Sequence, residues 1–454
     1  MDCVVLLPGQ AAVESYRKRA ALQRDANVFG TTVTTPASWL SELWDLWGDA
    51  RHIASPSRRF VALYAALEHQ KTLPIGTGVA ELGLRLVEGG LGTPQLDAAL
   101  AGETSLRPSD IPLVALVREY ERILADAYMI DAGRAWGVLA SSPCPGLPSR
   151  IEVKDFEIPA VFRHFCAQQG IELTESGGDY SIAQASQGID VRFAFPSGRY
   201  AEPLSLVDLI TESFKQHEGS IVITARHPSD LYERIVEGLV RCGISCAFQD
   251  SRAFSQTDFG RAVTCVRSMI ASERFPRAAA TDYLLNPFSG VAKERAYDID
   301  AHMRSNRLIE RDECLALVAD ASDSFEYVTE LVSSPEASIL TGYFEDRAYG
   351  MREMGEAYVA EQLAAISCLR SKAEDALKLG ASTDAYVALL DKSAVDVSRY
   401  CGAGNPQVMI MSQQQAAMNA PASCSAVIMC DMTSSDYPVH ATDDAASSYS
   451  NRLA

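Results

Sequence analysis

The segment Val153-Lys154-Asp155-Phe156-Glu157 places acidic and basic side chains directly after a short apolar run. Asp155 and Glu157 alternate on opposite sides of an extended backbone, so they would make a poor two-carboxylate centre. Glu152 and Lys154 have the spacing of the Glu-x-Lys half of a metal-dependent nuclease site, with Asp131 as the upstream acid. A Glu-x-Lys triplet occurs by chance in most chains of this length, so the triplet alone does not predict nuclease chemistry.

Other catalytic constellations are missing from the sequence. A phosphate-binding loop needs G-x-x-x-x-G-K-[ST], because backbone amides, the lysine and the hydroxyl together hold phosphate and magnesium, and no Gly-Lys dipeptide occurs here. The 11 cysteines form no C-x-x-C pair, and the 7 histidines lie apart, without a G-x-S-x-G elbow. We therefore expect no metal, iron–sulfur cluster or other cofactor.

Length and composition predict a multidomain globular protein. The 454 residues are enough for two to four domains, and 47% hydrophobic with 22% charged residues is ordinary for a folded chain. The net charge of −19 argues against a simple nucleic-acid-binding module, although a local basic groove remains compatible with it. With no apolar run long enough to span a bilayer and no signal peptide at the start, the expected location is cytoplasmic, with reduced thiols and no membrane partner.

The order of predicted elements favours an α/β fold. Apolar, β-branched runs predict strands at residues 3–7, 29–34, 151–153, 191–195, 221–224, 408–411 and 426–430. Helices are predicted between them, one of them capped by Ser38 and carrying an apolar face of Trp39, Leu40, Leu43, Trp44 and Trp47. The predicted domains are a first core, 1–195, with a helical insertion at about 55–140; a second core, 196–275 plus 402–454; and a helical insertion, 276–401.

Residues 220–262 carry the most distinctive pattern. The strand 221–224 is followed by a polar turn, a helix over 230–241, Gly243-Ile244 with a second short run, and a further helix opening near Gln256. This order resembles the fourth-motif region of UvrD-type superfamily 1 helicases. Three further pieces resemble the same family in the same order: residues 4–40, residues 116–131 and residues 408–432 with Tyr437-Pro438.

The nearest resemblance is to AddB/RecC-type subunits of bacterial helicase–nuclease complexes, which belong to the PD-(D/E)XK nuclease family. The resemblance implies two RecA-like parallel-sheet domains with large helical insertions. In this family a sixth-motif arginine, and often a nuclease domain, would follow beyond Ala454.

Departures from the family pattern predict that the chain does not hydrolyse ATP. The Walker B position retains Asp155 and Glu157 as a degenerate remnant, whereas the family has adjacent Asp-Glu. The fourth motif keeps Arg226, but Tyr232 stands where active relatives have a second arginine. The fifth-motif core reads 414–418 as Gln-Gln-Ala-Ala-Met, without its lysine and glycine. Phosphoryl transfer depends on positioning and charge stabilisation, which these losses remove.

The resemblance therefore implies a non-catalytic subunit that binds or guides DNA, as double-stranded ends or single strands, in double-strand-break repair. A partner subunit of AddA/RecB type would supply the motor. Backbone contacts would dominate, and the candidate DNA-binding or motif-remnant residues are Arg226, Arg252, Arg261, Ser412 and Gln414. Two alternatives remain open: an active ATP-dependent helicase or exonuclease whose phosphate loop and nuclease lie outside this chain, and an α/β protein-interaction module without a DNA role.

Overall fold

The described residues fold into one parallel and one mixed β-sheet, flanked and joined by helices. A computed structural model describes residues 3–23, 31–71, 73–102, 111–154, 156–176, 192–195, 201–216, 219–306, 310–413, 415–416 and 424–430. Its class is α/β, as the alternation of strand and helix signals predicts.

The strands are short and divide into two main sheets and one small pair. They are β1 Cys3–Leu6, β2 Thr31–Thr34, β3 His52–Ile53, β4 Met129–Ile130, β5 Arg150–Lys154, β6 Glu172–Ser176, β7 Ser220–Thr224, β8 Cys246–Ala253, β9 Ala394–Cys401, β10 Val408–Met411 and β11 Cys424–Met429.

The α-helices occupy most of the remaining described residues. In the first half of the chain they are α1 Gln10–Gln23, α2 Pro36–Trp47, α3 Pro56–Gln70, α4 Thr77–Gly90, α5 Pro94–Ala101, α6 Ile111–Asp126, α7 Ala132–Ser141, α8 Ala160–Gln168 and α9 Ala201–Gln216. The second half contains α10 Pro228–Arg241, α11 Asp258–Ala271, α12 Arg277–Leu284, α13 Lys293–Ser305, α14 Arg311–Ala321, α15 Phe325–Ser333, α16 Thr341–Gly350, α17 Glu356–Lys378 and α18 Thr383–Lys392.

The first sheet has the strand order β2-β1-β5-β6, with every strand parallel. Its central strand β1 is apolar at every position because the sheet is covered on both faces. Val4 and Leu6 join the larger core, whereas Val5 and Leu7 join a small core with Val13 of α1. The predicted strand 3–7 is thus confirmed, together with its burial.

Helix α2 packs on this sheet through the predicted apolar face, but its cap differs from the prediction. Trp39 and Trp44 are buried, and Trp47 is 36% exposed at the helix end. The N-cap is Thr35, whose Oγ1 accepts a hydrogen bond from the Ser38 backbone amide at 3.2 Å. The expectation that Ser38 caps the helix is therefore wrong, because Pro36 already occupies the first helical position.

The second sheet has the order β11-β7-β10-β8-β9, in which only β9 runs antiparallel to its neighbour. Strand β7 and the following α10 reproduce the predicted strand and helix of residues 221–241. The helix predicted near Gln256 is α11, which begins at Asp258 after Thr257 caps it by accepting from the Gly260 amide.

A helical block, α11 to α18, is inserted between β8 and β9. Its core is continuous with that of the second sheet. The earlier helices α3 to α6 form a separate core, which also takes in Ala385, Ala388 and Leu389 of α18. Ion pairs reinforce this contact: Arg58 Nε lies 2.8 Å from Asp375 Oδ1, and Lys392 pairs with Glu81. The two helical insertions therefore pack against each other.

Two predicted segments differ from the structure. Residues 192–195 of the strand predicted at 191–195 are exposed and irregular, and the sheet position beside β5 is filled by β6 instead. Residues 394–401, expected inside the helical insertion, form β9, which pairs with β8 along its full length. Val191 lies outside the described residues.

Of the helices in the described part of the chain, none combines the length and the apolar composition that a membrane span requires.

Candidate functional site

The carboxyl edge of the second sheet is where the structure gathers several of the predicted site residues. In parallel sheets ligands bind at this edge, outside the strand ends, where the chain direction across the sheet reverses. Here β7 lies between β11 and β10, with Met411 and Met429 both in register with Thr224. The residues at and just after the ends of these three strands therefore meet at one edge, together with Asp250 of β8. We call this the β7–β10 edge: Thr224 to Ser229, Asp250, Ser412, Gln415 and Cys430.

Backbone hydrogen bonds extend the sheet into this edge. The Ala225 amide donates to the Met411 carbonyl at 3.1 Å, and the Cys430 amide donates to the Thr224 carbonyl at 2.8 Å. Both bonds fix the direction in which the chain leaves β7. Arg226 and His227 follow at once and are exposed. The site's one predicted arginine is thus presented to solvent from a rigid strand end.

Helix α10 begins at this edge and already has an acidic partner. Pro228 occupies its first position, and the Ser229 amide donates to Asp250 Oδ2 at 3.3 Å. The N-terminus of a helix attracts anions because its amides are unpaired and its dipole is positive there. An internal carboxylate, that of Asp250, therefore takes part of the position that a phosphate would need.

Ser412 has a structural role at the end of β10. Its Oγ accepts from the Gln415 amide at 3.2 Å, and Gln415 Oε1 accepts from the Ser412 amide at 3.1 Å. This reciprocal pair is a capping box, which starts a helix at residue 413. Ser412 is thus at the edge predicted for it, but its hydroxyl is occupied. Gln414 lies outside the described residues.

Thr224 is the residue of this edge that the sequence does not single out. It is 4% exposed, and its Oγ1 has no hydrogen-bond partner among the described residues. A buried hydroxyl without a hydrogen-bond partner costs free energy. No sequence signal distinguishes it from an ordinary strand threonine.

Arg252 and Arg261 lie away from the β7–β10 edge, at the end of β8 and on α11. Arg252 Nη1 is 3.3 Å from Glu361 Oε1, and that carboxylate, 5% exposed, also lies 3.5 Å from Arg399. Arg252 therefore holds α17 against the end of β8. Arg261 is exposed on α11. The structure brings Arg226 and Ser412 to one edge, but pairs Arg252 with an internal acid.

The acidic candidates beside the first sheet that the structure describes do not form a metal centre. Asp155 lies outside the described residues, and Glu157 is exposed in the segment before α8. Glu152 pairs with Arg150 at 3.0 Å and with Lys154 at 3.6 Å. Among the residues that the structure describes, no three His, Cys, Asp or Glu side chains come together as a potential metal site.

Asp131 is instead the centre of a buried ion-pair network. It is 2% exposed, and its carboxylate accepts from Arg59 Nε at 2.7 Å, Tyr120 Oη at 2.6 Å and the Gly133 amide at 2.7 Å. Burial and the adjacent Asp131 charge raise the pKa of Tyr120 well above its ordinary value. The network joins α3, α6 and α7, so Asp131 serves the fold of the first helical block.

No protein-family model matches this chain, and no curated protein matches it either.

Proposed function

We propose that this chain is a non-catalytic, helicase-like subunit that binds or guides DNA in a helicase–nuclease complex of double-strand-break repair. The single observation that carries the proposal is the β7–β10 edge. There the strands that resemble the fourth and fifth helicase motifs are hydrogen-bonded neighbours, with Arg226 and Ser412 at their carboxyl ends. We further propose that each of the two main sheets, with its flanking helices, is a RecA-like domain. The protein would work in the cytoplasm with a motor subunit of AddA/RecB type.

The chemistry of the edge supports binding without hydrolysis. It offers two exposed residues with nitrogen-containing side chains, Arg226 and His227. These groups suit the phosphates of a nucleic-acid backbone, which positions a protein without reading sequence. Asp250 at the start of α10 disfavours a nucleotide phosphate there, because two anions would compete for the same amides.

The test compares the affinity of arginine variants for a forked DNA duplex by fluorescence anisotropy. Arg226→Ala and Arg261→Ala each remove one exposed cation and are expected to weaken binding of every sequence and to reduce the salt slope by roughly one unit. The matched control is Arg241→Ala. Arg241 is also exposed, at the far end of α10, where it pairs with Glu237 at 2.5 Å.

Two other results would point to the alternatives. ATP hydrolysis by this chain alone in the presence of DNA would favour an active helicase subunit. Equal DNA affinities of the wild type and the Arg226 and Arg261 variants would show that neither Arg226 at the β7–β10 edge nor Arg261 on α11 contributes to DNA binding. That result would favour a protein-interaction module, which the net charge of −19 also suits.

A further inference from the structure

Two cysteines face each other across the antiparallel strands β8 and β9. Cys246 and Cys401 are directly opposed partners in the strand register, although 11 cysteines are scattered along the chain without a pairing motif. Directly opposed residues of an antiparallel pair place their side chains on the same face of the sheet. The two thiols therefore lie side by side, on the face that packs against α10.

The geometry of this pair can be read from its register. Farther along the same ladder, the Phe254 amide donates to the Ser393 carbonyl at 2.8 Å, which marks a hydrogen-bonded pair. Hydrogen-bonded and non-hydrogen-bonded pairs alternate along an antiparallel ladder. Cys246–Cys401 is separated from Phe254–Ser393 by an even number of positions, so both pairs are of the same type. It is thus also a hydrogen-bonded pair, for which the Cα atoms are about 5.5 Å apart. Disulfides span Cα distances of about 4.4–6.8 Å, so the Cα separation fits a disulfide. The Cβ atoms of such a pair lie up to about 5.5 Å apart, whereas a disulfide needs about 3.5–4.5 Å, so the strands must shift slightly and the bond is strained and readily reduced.

The strands are held firmly around the pair. Gly402, immediately after Cys401, has φ +113°, and a Cβ there would lie 2.6 Å from the Ser245 Cβ. Ser245 in turn donates from Oγ to the Asn405 carbonyl at 2.9 Å, and its amide donates to Gln407 Oε1 at 3.1 Å. The turn between β9 and β10 therefore wraps closely around the residue that precedes Cys246. This packing keeps the two thiols in register.

We propose that Cys246 and Cys401 form a reversible cross-strand disulfide by exchange with a low-molecular-weight disulfide such as oxidised glutathione. Cys401 is partly exposed and reacts first, whereas Cys246 is fully buried. Burial also raises the pKa of the Cys246 thiol to about 11, which slows its own attack on an external disulfide.

The exchange proceeds in two balanced steps. The Cys401 thiolate attacks one sulfur of oxidised glutathione, whose S–S bond breaks, and one glutathione leaves as a thiol. The Cys246 thiolate then attacks the Cys401 sulfur of the mixed disulfide, and the second glutathione leaves. The protein loses two protons and two electrons, which convert one molecule of oxidised glutathione into two of the reduced form.

This bond would close the helical insertion covalently. The chain enters the block through β8 and returns through β9, so a Cys246–Cys401 bond joins the two ends of everything from α11 to α18. A crosslink that closes a long loop stabilises the folded state by restricting the unfolded chain. We expect the midpoint temperature of unfolding to rise by roughly 5 °C on oxidation.

The experiment equilibrates the native chain in glutathione buffers of increasing oxidised fraction, traps free thiols by alkylation in acid, and maps disulfide-linked peptides by mass spectrometry. The expected product is a peptide pair containing Cys246 and Cys401, formed reversibly and before any other disulfide. Cys401→Ser abolishes both this product and the rise in midpoint temperature. Cys242→Ser, which removes the exposed thiol nearest in sequence, leaves both unchanged.

Two outcomes would overturn the proposal. One is a chain whose Cys246 and Cys401 remain free thiols in fully oxidised glutathione. The other is a first-formed disulfide between Cys246 and Cys242. The reduced Cys401→Ser variant should unfold at the same temperature as reduced wild type, which separates loss of the bond from loss of the fold.

Discussion

Replacing Arg59 by methionine removes the cation from the buried network around Asp131. The Arg59 side chain is 11% exposed, and that of Asp131 is 1% exposed. In the variant the Asp131 carboxylate keeps the Tyr120 hydroxyl and the Gly133 amide but loses its counter-ion. Removing one partner of a buried pair leaves an uncompensated charge and costs about 3–5 kcal/mol. We expect Arg59→Met to lower the free energy of unfolding by that amount.

The assay is urea unfolding followed by circular dichroism, with the midpoint temperature as a second readout. The double variant Arg59→Met/Asp131→Asn should recover at least about 1 kcal/mol, because removing both charges removes the unpaired one. The control is Arg241→Met, which breaks an exposed pair with Glu237 and should cost less than about 0.5 kcal/mol. A loss below about 1 kcal/mol for Arg59→Met, or no recovery in the double variant, would refute a network that depends on compensating buried charges.

Two further predictions concern a tight helix start and a surface carboxylate. A Cβ on Gly260 would lie 1.8 Å from the Phe254 carbonyl oxygen, so Gly260→Ala should lower the free energy of unfolding by about 3 kcal/mol or more. Gly342 has open space around it, so Gly342→Ala should stabilise the fold slightly. Equal midpoint temperatures of the two variants would contradict this prediction. A side-chain hydrogen bond from Arg122 lowers the pKa of Glu119 to about 2. The ionised carboxylate therefore stabilises the folded state fully above about pH 4.5, and this stabilisation is lost as the pH falls towards 2. Glu119→Gln should therefore be less stable than wild type at pH 7, with a difference in urea midpoint that shrinks by pH 3; an unchanged difference would contradict the assignment.

Much of the fold could be predicted from the sequence because parallel strands that are buried on both faces have continuous apolar sequences. Strands β1, β7 and β10 have this pattern, whereas β5 alternates, with only Ile151 and Val153 buried. Strand β9 does not, since it is a sheet edge in which only Val395 and Val397 are well buried. Because its apolar residues alternate with polar ones next to a long helical region, the sequence of β9 does not predict a strand. Strand β6, another sheet edge, has only one apolar residue, Leu173, so it carries no apolar run that would predict a strand.

The candidate site was only partly predictable. Arg226 and Ser412 could be placed at strand ends because each directly follows an apolar run. The polar contacts around the site could not be predicted from the sequence. Asp250 of β8 accepts from the first turn of α10, and Arg252 pairs with Glu361, which lies 109 positions away in the chain. The contact of Arg58 with Asp375 likewise joins two helical insertions with no shared local pattern. Such pairs depend on tertiary packing, which local periodicity does not encode.

The most direct test of the central claim measures the affinity of the chain for a forked DNA duplex by anisotropy over a series of salt concentrations. The proposed function predicts binding at low salt whose logarithmic affinity falls linearly with the logarithm of salt concentration, as phosphate contacts require. An absence of binding at the lowest salt, with the chain folded by circular dichroism, would contradict a DNA-guiding role.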